Sequence, residues 1–203
     1  MLKISVEKLD ELFKAVAEKQ TLYIPADRED NTAEYKKYED GMKLSNKLNT
    51  LRSAKDFFFP QTENLADFKM EGKSIEVIDV REESEDFVVF GVRACDARSF
   101  TILDKVFLSE PVDSYYKNRR DHGTIVTMAC TKPAETCFCQ TFGIDPTEPE
   151  GDVACWSDGE SIFFKANNEK GQAFVESVSG LLEDGDTTKL DDTKAKTKEI
   201  MDK

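Results

Sequence analysis

Phe87-Val88-Val89-Phe90-Gly91-Val92-Arg93-Ala94-Cys95-Asp96, read together with Thr124-Ile125-Val126-Thr127-Met128-Ala129-Cys130, decides the fold. Residues 87–92 and 124–129 are near-continuous apolar runs, the pattern of central strands buried on both faces. Between them Phe100, Leu103 and Phe107 recur at helical spacing, which predicts a helix over 97–107. Strand, helix, strand in that order is a βαβ unit with a right-handed crossover. If the two strands are neighbours in a parallel sheet, Cys95 and Cys130 both stand just past their carboxyl ends. Open α/β sheets bind ligands in the crevice there. The expected class is α/β, with mixed α+β as the variant: a central, partly parallel sheet, flanking helices and a cysteine-bearing loop at the carboxyl ends of the strands.

Outward from this unit the pattern is less regular. Residues 6–19 read as an amphipathic helix, with Leu9, Leu12, Phe13 and Val16 on one face and Ser5 as its cap. Residues 21–24 form a short strand stopped by Pro25, 27–32 a polar turn, and 35–37 a second short strand. Leu44, Leu48 and Leu51 suggest a short helix or ordered loop, and Pro60 disfavours helix at Phe59. Residues 75–80 alternate weakly, as an edge strand would, and 109–123 are a mostly polar connection. After Ala129 the chain is irregular over 131–151, with Pro133, Pro146 and Pro149. Residues 153–156 and 161–165 flank Asp158-Gly159 as a hairpin. A packed helix is expected over 171–182 and a frayed helix or linker over 189–203. The division is therefore one α/β domain over 1–182 and a polar tail or linker over 183–203.

Composition narrows the function. A chain of 203 residues can bury a real core without staples. No stretch approaches the roughly 20 apolar residues of a membrane span. The N-terminus lacks a basic region followed by an apolar run, so a cytoplasmic location is expected. The net charge of −13 repels nucleic acid and anionic membrane, and neither is expected as a partner. The acidity reads first as solubility and permits docking to a basic patch. His122 is the single histidine and reads as a surface-turn residue. No Ser–His–Asp set, G-x-G-x-x-G or Walker sequence supports hydrolysis or nucleotide binding.

The cysteines carry the chemistry. Five thiols in a reducing compartment do not form lasting disulfides. Cys137-Phe138-Cys139 follows Cys130 on an irregular loop long enough to fold back toward Cys95, so Cys95, Cys130, Cys137 and Cys139 can converge. Thiolate ligands suit an iron–sulfur cluster or zinc. The spacing matches no ferredoxin run, and free cysteine is often simple core. On spacing alone, cluster, zinc and buried thiols all stay open. Cys155, beside Trp156 in the hairpin, reads as packed core.

Several ordered motifs resemble one family. Phe57-Phe58-Phe59-Pro60-Gln61-Thr62-Glu63, Val89-Phe90-Gly91-Val92-Arg93-Ala94-Cys95-Asp96 and Leu103-Asp104-Lys105-Val106-Phe107-Leu108 are similar to the iron–sulfur β subunits of sulfhydrogenases (cytoplasmic nickel–iron hydrogenases) and to the matching iron–sulfur component of anaerobic sulfite reductase. So are Tyr115-Tyr116-Lys117-Asn118-Arg119-Arg120 and Thr136-Cys137-Phe138-Cys139. The likeness runs from about Leu22 to Gly180. It implies a non-catalytic electron-transfer component of a cytoplasmic, anaerobic oxidoreductase complex, holding one [4Fe–4S] cluster on Cys95, Cys130, Cys137 and Cys139. It also implies partners: other subunits of the complex, one of them binding flavin and NAD(P), and a ferredoxin-like domain. This chain has no C-x-x-C-x-x-C-x-x-x-C-P run, so either the tail 183–203 leads to a ferredoxin domain absent from it or the ferredoxin part is a separate chain. The alternative is a structural zinc module for protein interaction. Around such a site Phe138 is expected either to shield a cluster or to be core, and Asp96 to cap the helix 97–107. Arg93, Arg98, Arg119 and Arg120 are expected to bring positive charge or to form salt bridges.

Overall fold

A computed structural model describes residues 1–201 of the chain. In chain order the regular elements are β1 (Leu2–Ser5), α1 (Leu9–Ala17), β2 (Thr21–Asp27), β3 (Ala33–Lys37), β4 (Ala66–Glu71), β5 (Ser74–Asp79), β6 (Phe87–Arg93), α2 (Ala94–Phe107), α3 (Ser114–His122), β7 (Gly123–Met128), β8 (Val153–Ser157), β9 (Ser161–Ala166), α4 (Glu169–Ser177), β10 (Glu183–Asp184) and α5 (Thr188–Met201). Eight strands make one sheet in the order β10-β1-β9-β8-β7-β6-β2-β3. β2, β6, β7 and β8 pair in parallel, and the other pairings are antiparallel. The protein is thus α/β, with a sheet whose central strands are parallel and helices on both faces.

Alternation along the central strands builds two cores. Val88, Phe90, Val126, Met128, Val153 and Cys155 face Leu12, Phe13 and Val16 of α1 and Phe174 and Val175 of α4. Val89 and Ile125 face the other way, toward Ala97 and Phe100 of α2 and Tyr116 of α3. A bulge at Gly91, where φ is +80°, then shifts the parity of β6. Val92 consequently joins the α2 side although Val88 and Phe90 lie opposite. The bulge also leaves space for Pro25, whose Cγ lies 3.1 Å from where a Cβ at position 91 would be.

That contact explains one departure from expectation. β2 does not stop at Pro25; it continues to Asp27. Its parallel pairing with β6 ends at Tyr23, so Pro25 has no ladder bond to lose on that side. The N-terminal helix divides into a 3-10 turn, Val6–Lys8, whose N-cap is Ser5, and α1, with the four anticipated residues buried. The segment 75–80 is not an edge of the main sheet. β5 pairs only with β4, in a separate two-stranded ribbon, where Phe68 and Val77 face each other exposed. The polar stretch 109–123 contains α3, which starts at Asp113, whose carboxylate accepts from the N–H groups of Tyr115 and Tyr116.

The second face is locked by a polar group. Arg120 makes two bonds to Asp104, at 2.8 and 2.9 Å, and Tyr116 donates to the same carboxylate at 2.7 Å. The guanidinium also lies over the rings of Phe58 and Phe100. Burial pushes the Asp104 carboxyl up, but Arg120 and Tyr116 overcome that and hold it below the usual carboxylate range. Because the folded pKa is depressed, this stabilisation is present above pH ~4 and is lost as pH falls through the folded value. Asp104→Asn should cost about 2 kcal/mol at neutral pH, and the gap from wild type should narrow in acid. Urea melts at pH 7 and pH 3 measure both. Thr127 presents the opposite case: its hydroxyl is buried without a hydrogen-bond partner. Thr127→Val should therefore raise stability by about 1 kcal/mol, visible as a higher thermal midpoint.

Candidate metal centre

β6 runs into α2 without a loop, so Cys95 occupies the first turn of the helix. The N-cap is Arg93 and no side chain caps it. Asp96 is therefore not the expected cap. Its carboxylate instead accepts from Ser53 at 2.7 Å and Lys55 at 3.1 Å, which ties α2 to the segment before Phe57. Cys130 follows β7, and its N–H donates to the carbonyl of Pro146 at 3.0 Å. The chain then loops outward. Cys137 receives a bond on its sulfur from the N–H of Ala134 at 3.3 Å. Cys139 opens a 3-10 turn, Cys139–Phe142, which Gly143 ends at φ +61°. The N–H of Ile144 returns to the Cys139 carbonyl at 3.0 Å.

These four thiols share one electrostatic neighbourhood. Burial pushes the Cys130 thiol up to about 11; Arg93 opposes this, while Cys95, Cys139 and Cys137 add to it. Burial also raises Cys139, with Cys95 and Cys137 adding. Burial and Asp96 raise Cys95, and Cys137 adds, against the pull of backbone N–H groups of Asp96 and of Cys95 itself. The thiolate form of Cys130, Cys139 and Cys95 is thus disfavoured first by burial and then by neighbouring cysteines. Cys95 and Cys137 are exposed, Cys130 and Cys139 half-buried.

Cys155 is set apart. It lies fully buried on β8, facing α1 and α4, whereas its neighbours Ala154 and Trp156 face the opposite side with Ala129 and Leu190. It is core, as expected.

The arginines divide. Arg93 is at the site, but its guanidinium is committed to the carbonyls of Leu48 and Lys47, at 3.0 and 3.1 Å. Arg98 pairs with Glu150, Arg119 with Glu63 and Arg120 with Asp104. Arg119 and Arg120 lie on α3, which enters β7 at its amino end, while Cys130 follows the carboxyl end. They are salt-bridging residues of the far side. His122 is the last residue of α3 rather than a turn residue, with Nδ1 2.7 Å from Asp86. Phe138 is not core: it is 65 % exposed and touches Phe142, ring centres 5.7 Å apart.

The site also uses residues that the hydropathy pattern does not mark. The polar tail, for which a frayed helix or a linker is expected, forms β10 and then a helix, α5, which lies against residues 131–148. Its last two residues, 202 and 203, lie outside the described residues. Thr197 Oγ1 donates to the carbonyl of Thr131 at 3.2 Å, and Lys194 and Lys198 reach Glu148 and Asp145 at 2.8 and 3.1 Å. Asp145 in turn accepts from Thr147 at 2.9 Å, and Trp156 Nε1 donates to the Thr147 carbonyl at 2.7 Å.

Over 184 residues the chain is 30 % identical to sulfhydrogenase 2 subunit beta of Pyrococcus furiosus. The chain is similar to a hydrogenase β subunit. The alignment takes in 90 % of this chain and 53 % of that subunit, so the chain spans about half the length of the curated relative it matches. This likeness supports the hydrogenase β-subunit family as its kin. No family model matches the chain, and no solved structure matches it. Among the described residues no helix is long and apolar enough to cross a membrane.

By donor chemistry, four thiols suit an iron–sulfur cluster or zinc. Among the described residues, no group of three or more His, Cys, Asp or Glu side chains is placed so as to hold a metal ion. A structural zinc draws four sulfurs onto one ion at about 2.3 Å, whereas a cluster ligated by four cysteines spreads them over several irons.

Proposed function

We propose that this chain is the iron–sulfur electron-transfer part of a cytoplasmic, hydrogenase-type oxidoreductase complex, with Cys95, Cys130, Cys137 and Cys139 as ligands of one [4Fe–4S] cluster. The observation that carries the reading is placement: Cys95 in the first turn of α2 and Cys130 just after β7 stand at the carboxyl ends of two neighbouring parallel strands, and Cys137 and Cys139 lie on the loop that follows. The likeness to a hydrogenase β subunit supports it independently, and favours the hydrogenase type over the sulfite reductase type. Partners on this reading are the other subunits of the complex, one of them binding flavin and NAD(P), and a ferredoxin-like domain. When bound, the cluster supplies one-electron storage. The residues around it set its surroundings. The first turn of α2 offers backbone N–H groups to Cys95, and Arg93 offsets negative charge at Cys130. The segment 131–148 walls one side.

Anaerobic purification with iron, sulfide and zinc analysis tests this. The expected result is brown protein with roughly four irons and matching sulfide per chain. Colourless protein holding about one zinc would instead establish the structural zinc module.

A further inference from the structure

We infer that α5 is a positioning strap for the Cys137–Cys139 segment, held down by polar contacts rather than by a hydrophobic face. The inference deepens the electron-transfer reading only where iron is concerned; its geometry stands without a metal.

A helix docked on a globular domain ordinarily buries an apolar stripe. The stripe of α5 that meets the domain is instead Leu190, Thr193, Lys194 and Thr197, with the exposed Lys198 at its edge and Met201 at its end, and Leu190 is its one fully buried large apolar side chain. Leu190 anchors the first turn against Ala129, Ala154, Trp156 and Phe163. From there onward polar groups take over. The Lys194 ammonium sits 4.1 Å over the Trp156 ring and pairs with Glu148. Thr197, 2 % exposed, bonds the residue that follows Cys130. Lys198 pairs with Asp145, and Gln140, which follows Cys139, donates its side-chain amide to the Met201 carbonyl. Ile200 and Met201 then line the same depression as Cys137, Phe138 and Cys139.

The anchors thus bracket the cysteine pair on both sides, at Thr131 before it and at Gln140, Asp145 and Glu148 after it. Residues 131–138 have no regular structure of their own to hold Cys137 opposite Cys95. Partly exposed ion pairs hold weakly and weaken further with salt. A strap of this composition releases its segment on charge removal or at high ionic strength. Thr197, Lys194 and Lys198 are accordingly positioning residues.

The test uses the full chain, first metal-free under anaerobic conditions. Iodoacetamide labelling of each cysteine is followed by mass spectrometry, with hydrogen exchange of α5 measured in parallel. In Lys194→Gln/Lys198→Gln, α5 amides should exchange faster, and labelling of the half-buried Cys139 should rise about fivefold or more while the exposed Cys95 stays within about twofold. Wild type in 0.5 M rather than 0.05 M salt should move the same way, and Lys194→Arg/Lys198→Arg should restore the slow rates. Thr197→Ser, which keeps the hydroxyl, should resemble wild type. After anaerobic loading with iron and sulfide, the Gln variant should lose iron faster to a chelator and show a shifted midpoint potential. Unchanged exchange in α5 overturns the inference, because the polar contacts then do not hold the helix. So does a freely exchanging α5 with Cys139 labelled at the wild-type rate. If the labelling behaves as expected but no iron loads in any version, the strap stands and the cluster reading falls.

Discussion

Cys130→Ser is expected to lower iron from roughly four atoms per chain to near background, with sulfide falling in parallel. Cys130 is the thiol that feels all three others, and it follows β7 directly, so its place is fixed by the sheet. A serine hydroxyl there does not ionise in the range where a thiol does and is a poor ligand for iron. The informative control is Cys155→Ser. Cys155 has the same chemistry in a site walled off by α1 and α4, and burial alone pushes its thiol well up. That variant should keep its iron while losing about 2 kcal/mol of stability, the cost of a buried hydroxyl without a partner. Iron analysis and a urea melt on the two variants separate ligand from core. Iron retained by Cys130→Ser at the wild-type level would remove Cys130 from the ligand set.

The largest effect on folding is expected from Gly171→Ala. A Cβ there would sit far inside van der Waals contact with the carbonyl of Asp152, a backbone atom that cannot rotate away. The surroundings leave little slack. Asn168 caps α4 by accepting from the Gly171 N–H at 2.9 Å, and its amide donates to Asp152 at 2.7 Å. Asp152 also receives the N–H of Ile125 at 2.7 Å. Pushing α4 away strains the cap, the β7–β8 junction and the packing of Phe174 together. A cost of about 3 kcal/mol follows, or a thermal midpoint lower by roughly 10 °C. A midpoint within about 2 °C of wild type would mean that α4 is free to shift.

The parts of this fold that were legible in the sequence are those with one-sided or two-sided apolar periodicity. Residues 87–92 and 124–129 are buried on both faces, and α1 buries the four residues its spacing marks. The Asp158-Gly159 turn likewise marked the β8–β9 hairpin. What escaped notice lacks that signal. α3 buries Tyr116 alone among its residues and is otherwise charged. β4 lies in a ribbon with little burial on either face. For α5 a frayed helix is one of the expectations, but its docking is not legible, because it docks through lysines and threonines, which look like solvent residues in any pattern of hydropathy. At the site, Cys95 and Cys130 were placed by their positions after two strands. Arg98, Arg119 and Arg120 form salt bridges, one of the two expectations, and Arg93 is at the site; that Arg119 and Arg120 lie at the other end of β7 is not legible, because proximity along the chain does not tell which end of a strand a helix enters. Asp96 was misread because β6 passes into α2 without a linker, which leaves no vacancy for a cap.

The extra residue in β6 acts well beyond its own neighbours. Pleated strands count in twos, so a single insertion exchanges inside for outside in everything downstream. The orientation in which α2 departs, and with it the bearing of the first thiol, is set four positions earlier by a residue with no side chain. Any chain that kept all five sulfurs but straightened this strand would aim that first one elsewhere.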